Sequence, residues 1–425
     1  CHATASVADA NCDGVDGVDA DGDLIADRRS YGLDCEDADA AIYPGGFHNE
    51  TCNGVDDDCD GVTDEYQATA LAETTLVSGK IGASEVVILR DGTAALVYLD
   101  LSDLAIKLSR MVNGSSVSTT IVGGAQSTSY VLQFAVALDP WDGLHVAYHD
   151  MKTMGLGYTY VYLEDIAHPM IFAGSVDTNA EQDVGAGANP AIAVDALGRP
   201  HMSYAVGDNA GLRYATGFIG DWDIGTVVSG VAGKYSAIAL RDGFEPVIAY
   251  SSGSSKMRVM IAHAPTSGFF GVTWTHSFVD GGSGSGSAYG ADLTMALGGS
   301  SVHLAYQAGN YATTKTLRYA TADLDALAGT WTRATIDSNN DTGYSPVLGV
   351  DGTGVPWVAA VSGYGSSVDL WFRRNTTTWV RSESFAIADA APGLAFDVRN
   401  QSPVISYYEA STEALKLVTY GCPTN

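Results

Sequence analysis

A motif that recurs seven times between residue 84 and the end of the chain constrains the fold more than any other feature. Each copy has an apolar run, a polar turn with Gly or Asp, and a second apolar run that ends in tyrosine in six copies. The tyrosines are Tyr98, Tyr148, Tyr204, Tyr250, Tyr306 and Tyr407, and Ala360 takes their place in the sixth copy. Successive copies lie 46 to 56 residues apart. This pattern predicts seven β-hairpins.

Further strand-like segments follow each hairpin. A third run, such as GLRYATGF (211–218), follows in every copy, and a fourth, often introduced by Trp222, Trp274, Trp331 or Trp379, follows in most. Four strands per unit at a period near 50 predict propeller blades. The sequence thus predicts an all-β fold, a seven-bladed β-propeller over residues 67–425. No fourth strand follows Tyr420, so we expect a segment at about 68–79 to be the outer strand of the last blade and to close the ring.

The repeated turn and strand unit also carries a resemblance. It has the form (V/L)D-x-x-G-x-P-x-(V/I)-x-Y and resembles the units of sialidase-like and lectin-like bacterial propellers. The resemblance implies the fold and leaves the activity open, since propellers host many unrelated functions.

Residues 1–66 form a different kind of segment, with 18 acidic residues against two arginines. Aspartates spaced D-x-D-x-D-G-x-x-D are typical of calcium loops, although Gln67 takes the place of the usual final glutamate. We predict a small calcium-binding module here, with several ions. The candidate metal ligands are Asp9, Asn11, Asp13, Asp19, Asp21, Asp23, Asp27, Asp34, Asp37, Asp39, Asp56, Asp58, Asp60 and Asp64.

Six cysteines accompany the acidic residues. They are Cys1, Cys12, Cys35, Cys52, Cys59 and Cys422. Their even number and the hard oxygen donors around them favour disulfides over a thiolate zinc site, and fifteen pairings are open. A module this short and this polar needs staples, which disulfides and calcium would supply. A lipid anchor on Cys1 is the alternative use of that residue.

Residues 19–65 resemble the MopE-type metal-binding repeat of secreted bacterial proteins. The matching features include Pro44-Gly45 and the cysteines at 35, 52 and 59. The family name implies copper, but copper prefers imidazole and sulfur ligands, whereas this segment offers mainly carboxylates. We therefore expect calcium, with copper as the weaker alternative.

The repeat region shows no catalytic motif that we recognise in the sequence. Arg213 and Arg318 occupy the same place in two identical LRYAT segments, so we interpret them as repeat positions. His145, His201 and His303 each precede a repeat tyrosine by three residues, which favours a strand position over a metal site. From these observations we predict that the chain is not an enzyme.

The expected function is that of a secreted or cell-surface calcium-binding protein with a structural or adhesive role, one that assembles head-to-tail into a filament. A carbohydrate-binding lectin is the alternative, followed by a sialidase-like enzyme. Expected partners are neighbouring copies of the chain and surface glycans. The net charge of −29 argues against nucleic acid, and no apolar stretch reaches 18 residues, so we expect no membrane span.

Overall fold

The structure is a computed structural model. It describes residues 70–112, 115–123, 133–163, 169–178, 186–207, 211–254, 256–264, 273–282, 287–310, 315–338, 342–352, 354–363, 367–373, 378–386, 393–396 and 403–420. In the acidic segment it describes residues 20, 21, 34–36, 38–40, 42, 55, 56 and 59.

The described chain is almost entirely β-strand, apart from one 3₁₀ turn at Leu324–Ala326. In the first half of the chain the strands are β1 (Ala70–Ser78), β2 (Ile81–Ile88), β3 (Ala94–Asp100), β4 (Ala105–Val112), β5 (Ser115–Val122), β6 (Phe134–Leu138), β7 (Leu144–Asp150), β8 (Gly155–Tyr162), β9 (Met170–Asp177), β10 (Ala186–Val194), β11 (Pro200–Val206), β12 (Gly211–Phe218) and β13 (Asp221–Ser229).

Fifteen more strands follow along the chain. They are β14 (Ala232–Arg241), β15 (Glu245–Ser252), β16 (Arg258–His263), β17 (Thr275–Gly281), β18 (Ser287–Gly298), β19 (Ser301–Asn310), β20 (Thr316–Asp323), β21 (Thr332–Asp337), β22 (Tyr344–Val350), β23 (Pro356–Ser362), β24 (Ser367–Arg373), β25 (Trp379–Ala386), β26 (Gly393–Phe396), β27 (Pro403–Glu409) and β28 (Ala414–Tyr420).

These strands form seven four-stranded sheets, which confirms the predicted seven-bladed β-propeller. Six sheets have sequential order: β2 to β5, β6 to β9, β10 to β13, β14 to β17, β18 to β21 and β22 to β25. We number them blades 1 to 6. The first strand of each blade is the innermost one. Innermost strands of consecutive blades contact one another around the ring, and β26 contacts both β22 and β2.

The seventh blade combines strands from both ends of the propeller sequence. Its order is β1-β28-β27-β26, so β1 takes the outer position. The Gly79 amide donates to the Glu413 carbonyl at 2.7 Å, and the Ser84 and Ser406 hydroxyls lie 3.2 Å apart. A side chain at Gly393 would meet the Val86 backbone nitrogen at 2.8 Å, so blades 7 and 1 pack closely. In this position β1 covers the edge that β28 would otherwise expose.

The core lies between the faces of neighbouring blades. Between blades 1 and 2, for example, Val97, Leu99 and Ile106 pack in one cluster with Leu144 and Val146, and all five are at most 2% exposed. The middle strands β11 and β23 are buried at every position, because both of their faces are covered by adjacent blades. Removing one such aliphatic side chain typically costs about 2–5 kcal/mol.

The chain divides into two compact units. One comprises Thr74–Phe396 and Ile405–Leu417, and the other comprises Cys1–Glu73, Asp397–Val404 and Val418–Asn425. A boundary between an acidic module and a propeller at residue 66 stays a prediction, because residue 66 lies outside the described residues. No helix in the described part of the chain has the length and apolar character needed to cross a bilayer.

Candidate functional sites

A cavity of about 530 Å³ lies on the propeller axis. Its walls come from the first halves of the innermost strands of blades 1 to 6, which places it at the end of the ring away from the β-hairpin turns. The lining mixes acids, amides, hydroxyls and rings, including Glu85, Gln133, Asn189, Tyr235 and Asp292. A concave site with a few convergent polar groups is the usual form of a small-molecule site.

Bulges in the innermost strands hold three polar residues of this lining at equivalent positions. Asn189, Asp292 and Ser345 have positive φ angles of 45°, 46° and 45°. Each falls within a register shift of its strand against the second strand of the blade. Left-handed backbone is tolerated best by Asn and Asp among residues with a side chain. Bulges of this kind re-aim side chains and are common near functional sites.

Hydrogen bonds between neighbouring blades fix the lining. The Gln133 amide nitrogen donates to Asn189 Oδ1 at 2.6 Å, and the Asn189 backbone amide donates to Gln133 Oε1 at 2.7 Å. Asn189 Nδ2 in turn donates to the Lys234 carbonyl at 2.6 Å. On the other side of the ring, the Ser345 amide donates to Asp292 Oδ2 at 3.2 Å. The polar groups are therefore positioned before any ligand arrives.

The two carboxyl groups of the cavity are electrostatically unusual. Burial raises the pKa of Glu85 to about 7, and the hydrogen bond from the Val136 amide offsets only part of that effect. Burial also raises the pKa of Asp292, against the lowering effects of the Ser345 amide and of the Lys234 charge. Perturbed carboxyl groups that share a cavity mark a candidate functional site.

The sequence analysis missed this cavity, although a signal was present. In blade 1, Glu85 pairs with Val97, the residue directly before the repeat tyrosine. The inner-strand position equivalent to Glu85 holds an alanine in blades 2, 3 and 4. Blades 5 and 6 have Thr294 and Val347 there. A lone acid at a position that five other copies fill with small or apolar residues is the detectable departure from the repeat.

Arg213 and Arg318 lie in structural contacts between blades, as their repeat positions indicated. Arg213 Nη1 and the Tyr204 hydroxyl both donate to Asp177 Oδ2, at 2.7 and 2.8 Å. The same arrangement recurs two blades later. There the Tyr306 hydroxyl donates to Asp280 Oδ2 at 2.6 Å, and Arg318 Nε lies 3.1 Å from the same oxygen. Tyr204 and Tyr306 thus anchor blades 3 and 5 to the outer strands of blades 2 and 4.

The three repeat histidines lie in buried networks at the opposite end of the innermost strands. The Nδ1 atoms of His145 and His201 form hydrogen bonds with the hydroxyls of Tyr158 and Tyr214, at 2.8 and 2.6 Å respectively. Their Nε2 atoms lie 3.5 Å from Asp139 and Asp195, the turn aspartates. Burial lowers the pKa of His145, and it lowers that of His201 to about 4. These neutral histidines contact the aspartates of the hairpin turns. The sequence analysis interpreted the histidines as strand positions and did not predict this contact.

Few of the predicted metal ligands lie within the described residues. Asp21, Asp34, Asp39 and Asp56 are described, whereas Asp9, Asn11, Asp13, Asp19, Asp23, Asp27, Asp37, Asp58, Asp60 and Asp64 lie outside. Asp34 is fully buried, and its Oδ1 accepts the Glu36 amide at 2.9 Å. Asp39 is exposed and Asp56 is partly buried.

Cys35 and Cys59 form a disulfide. The other four cysteines, Cys1, Cys12, Cys52 and Cys422, lie outside the described residues. A carboxylate oxygen of Asp34 lies within 4.8 Å of both disulfide sulfurs, in a group with metal-site geometry. Sulfurs joined in a disulfide offer no thiolate, so Asp34 alone of these three could bind a metal ion strongly. A fully buried carboxylate fits a hard cation, because buried charge needs compensation.

Comparison with known proteins identifies the same two parts. Residues 5–17 and 34–65 match the Cu-binding MopE family model, described as "Putative metal-binding motif". No curated protein matches the sequence significantly. The chain thus carries a MopE-type metal-binding motif followed by a seven-bladed β-propeller, and the metal that it binds is not identified by the match.

Solved structures similar to the propeller include proteins that act on or bind carbohydrates. Polysaccharide lyase Uly1 has a TM-score of 0.50 and 11% identity over 86% of this chain and 93% of its own. The sialidase Hz136, a Hadza microbial protein, has a TM-score of 0.45 and 12% identity over 75% and 74%. The Aleuria aurantia lectin, in complex with alpha-methyl-L-fucoside, has a TM-score of 0.44 and 16% identity over 74% and 97%. At these identities the likeness shows the fold alone.

The prediction that the chain is not an enzyme is wrong. It rested on the absence of recognisable motifs, but the same fold occurs in a polysaccharide lyase with no sequence signal in common beyond 11% identity. Motif searches therefore cannot exclude catalysis on this scaffold. The axial cavity also holds Glu85 and Asp292, whose raised pKa values are typical of groups that exchange protons.

Proposed function

We propose that this protein is an exported carbohydrate-binding propeller that binds a saccharide in its axial cavity. The observation that carries the proposal is the hydrogen-bonded polar lining of that cavity. The amide groups of Gln133 and Asn189 can accept from and donate to sugar hydroxyls, and the carboxylate of Asp292 can accept from them. The rings of Phe134 and Tyr235 supply apolar surface for the C–H face of a sugar.

The dimensions and rigidity of the cavity support the same function. A volume of about 530 Å³ falls in the usual range for small-molecule sites, which is roughly 300–1,000 Å³. Binding would cost little ordering entropy, because inter-blade hydrogen bonds already fix Gln133 and Asn189. Similar propellers include a lectin in complex with a fucoside and a polysaccharide lyase, which agrees with a carbohydrate ligand.

Titration calorimetry with a panel of neutral, amino and acidic oligosaccharides would test the proposal. We expect at least one saccharide to bind and Gln133→Leu to weaken its affinity on the order of tenfold, because the variant removes a polar group of the lining and frees Asn189. The matched control is Gln307→Leu, which changes a buried glutamine of β19 away from the cavity. Binding that Gln133→Leu leaves unchanged would contradict the axial site.

We further propose that the metal of the acidic segment is calcium. Oxygen donors dominate the motif, and the described disulfide removes Cys35 and Cys59 from the pool of sulfur ligands. A disulfide and a MopE-type motif also agree with an extracellular location. We expect the full chain to bind several calcium ions and Asp34→Asn to lose at least one of them. Metal analysis after dialysis against calcium and copper together checks this, and copper retained in preference to calcium would contradict it.

A second candidate role, adhesion or self-association, is favoured by exposed apolar residues on the turn side of the propeller. Trp141, Leu197 and Phe244 are 58%, 64% and 47% exposed and lie in the corresponding turns of blades 2, 3 and 4. Neighbouring turns touch, since the Gly198 position faces the Trp141 ring. Contiguous apolar surface of this kind commonly marks an interaction site. Light scattering of the full chain, with Trp141→Ser and Leu197→Ser combined, tests it: concentration-dependent assembly should be lost in the double variant.

A further inference from the structure

The Glu85 carboxyl group is an exception within the repeat. In five other blades the equivalent inner-strand position carries Ala135, Ala191, Ala237, Thr294 or Val347. Placing an acid there is costly, because an ionised carboxyl group away from water needs a partner. A residue that opposes stability at a repeat position is expected where function requires it.

The surroundings of Glu85 do not supply a countercharge. Among the described residues its carboxylate has one polar contact, with the Val136 amide at 3.3 Å, and forms no ion pair. In the adjoining strands β6 and β26, the residues whose side chains are described carry no charge. Among the described residues that line the cavity, the other titratable ones are Asp292 and Tyr235, and Lys234, which lies next to Tyr235 in the chain, acts electrostatically on Asp292.

We propose that the axial cavity selects saccharides that carry a free amine, and that Glu85 is the specificity-determining residue that binds the ammonium group. This inference rests on the proposed carbohydrate function of the same cavity. A ligand ammonium would supply the cation that no described residue places beside Glu85, in a charge-assisted hydrogen bond to the carboxylate. The Tyr235 ring, which already has Lys234 Nζ 5.6 Å from its centroid, adds a surface that favours cations.

Acidic saccharides are disfavoured by the same groups. A uronate would bring a negative charge beside the Glu85 carboxylate, and like charges that share a site disfavour one another. An N-acetylated sugar has the same skeleton as the amine but lacks its charge, so it would leave Glu85 uncompensated. The expected order of affinity is therefore amine, then N-acetyl, then uronate.

The selectivity depends on pH because only ionised Glu85 attracts an ammonium group. Its pKa of about 7 means that it is mostly neutral at pH 5.5 and about half ionised at pH 7.0. A sugar amine with a pKa near that of an α-amino group, about 7.7–8.0, stays largely charged over this range. The amine should therefore bind on the order of tenfold more tightly at pH 7.0 than at pH 5.5.

Calorimetry on the full chain tests the proposal with three matched disaccharides: β-1,4-linked glucosamine, its N-acetylated form and a glucuronate-containing form. The variants are Glu85→Gln and Asp292→Asn, with Asp221→Asn on the exposed turn of β13 as the control for the loss of one charge. Melting curves confirm that each variant folds. We expect the amine to bind at least tenfold more tightly than the N-acetyl form at pH 7.0, and Glu85→Gln to abolish both this preference and its pH dependence.

The possible failures are distinguishable. Equal binding of the amine and the N-acetyl form by the unmodified protein would overturn the amine selectivity and leave the carbohydrate function standing. An amine preference that survives in Glu85→Gln would overturn the role of Glu85, and its loss in Asp292→Asn alone would assign the recognition to Asp292. Absence of binding to all three sugars and to the broader saccharide panel would overturn the proposed function together with this inference.

Discussion

The two ends of the innermost strands use acidic residues in opposite ways. At the turn end, Asp195 Oδ1 accepts the backbone amides of Leu197 and Arg199 at 2.9 and 2.8 Å, and its other oxygen faces His201. At the cavity end, Glu85 has one long contact with a backbone amide and faces open space. The first arrangement satisfies a buried charge, whereas the second leaves charge available to a ligand. The turn end therefore has a structural role, and the proposed ligand site lies at the opposite end of the same strands.

The turn-end network extends from blade to blade. The Tyr158 ring that bonds to His145 packs edge-on against Trp222 of the next blade, with centroids 5.1 Å apart. Tyr214 and Trp274 repeat this contact one blade later, at 5.4 Å. Asp139 and Asp195 therefore each contact the adjoining sheet through a histidine and a tyrosine. No such chain of satisfied contacts surrounds Glu85 among the described residues.

The largest expected effect follows from removing a turn aspartate. Asp195→Ala removes a buried carboxylate that accepts from two part-buried backbone amides and faces the buried His201, so we expect a loss of about 4 kcal/mol in the free energy of unfolding. Urea unfolding monitored by circular dichroism measures it. The exposed Asp221→Ala is the control and should change stability by less than about 0.5 kcal/mol. If both variants lost the same small amount, the turn end would not have the structural role assigned to it.

The opposite sign is expected at the cavity end. The pKa of Glu85 is raised from 4.5 to about 7 in the folded protein, so its ionisation opposes folding, and stability declines as the pH rises from about 4.5 to about 7 and then levels off. Glu85→Ala introduces the alanine that blades 2 to 4 have at this position. Its effect on the free energy of unfolding should be roughly 3 kcal/mol more stabilising at pH 8 than at pH 4. Melting temperatures of both proteins at the two pH values check this.

Because deletion of the side chain also changes packing, Glu85→Gln provides the matched comparison. Glu85→Gln should show the same gain in the free energy of unfolding at pH 8, because glutamine fills the space of the glutamate side chain. A variant that is equally stable or less stable than the unmodified protein at pH 8 would show that Glu85 is compensated, and the comparison between the two ends would fail.

A smaller effect is expected from the anchors between blades. Tyr204→Phe removes the hydroxyl that donates to Asp177 but keeps the buried ring, and Arg213 still binds the carboxylate. We expect a loss of about 1–1.5 kcal/mol and unchanged saccharide affinity. Chemical denaturation and calorimetry on the same preparation measure the two quantities. A loss of affinity without a loss of stability would assign these tyrosines to the ligand site.

The sequence repeat predicted the blades because a β-hairpin is determined by residues that are close together in the chain. Alternating apolar residues around a Gly or Asp turn determine a hairpin, and Tyr98, Tyr204 and Tyr306 are buried where the motif placed them. The Trp residues that introduced the fourth strands also lie at or beside β13, β17, β21 and β25. These features depend on residues near one another in the chain, so the sequence was sufficient.

The cavity could not be predicted in the same way. Gln133 and Asn189 are 56 positions apart, and their contact depends on the bulge that turns Asn189 into the left-handed region. The role of Asp292 likewise depends on Ser345 in the next blade. Only Glu85 carried a local signal, as an acid in an otherwise small or apolar repeat position. The partners of His145 and His201 were missed for the same reason, since tyrosine and aspartate converge on them only in the folded sheet.

The central claim is that a saccharide binds at the axis, beside the uncompensated carboxyl group. A crystal structure of the full chain with the β-1,4-linked glucosamine disaccharide at pH 7.0 tests it most directly. The account predicts sugar density inside the axial cavity, with the amine about 2.7–2.9 Å from a Glu85 oxygen. A sugar bound at the turns or between outer strands, with the cavity free of it, would contradict the account.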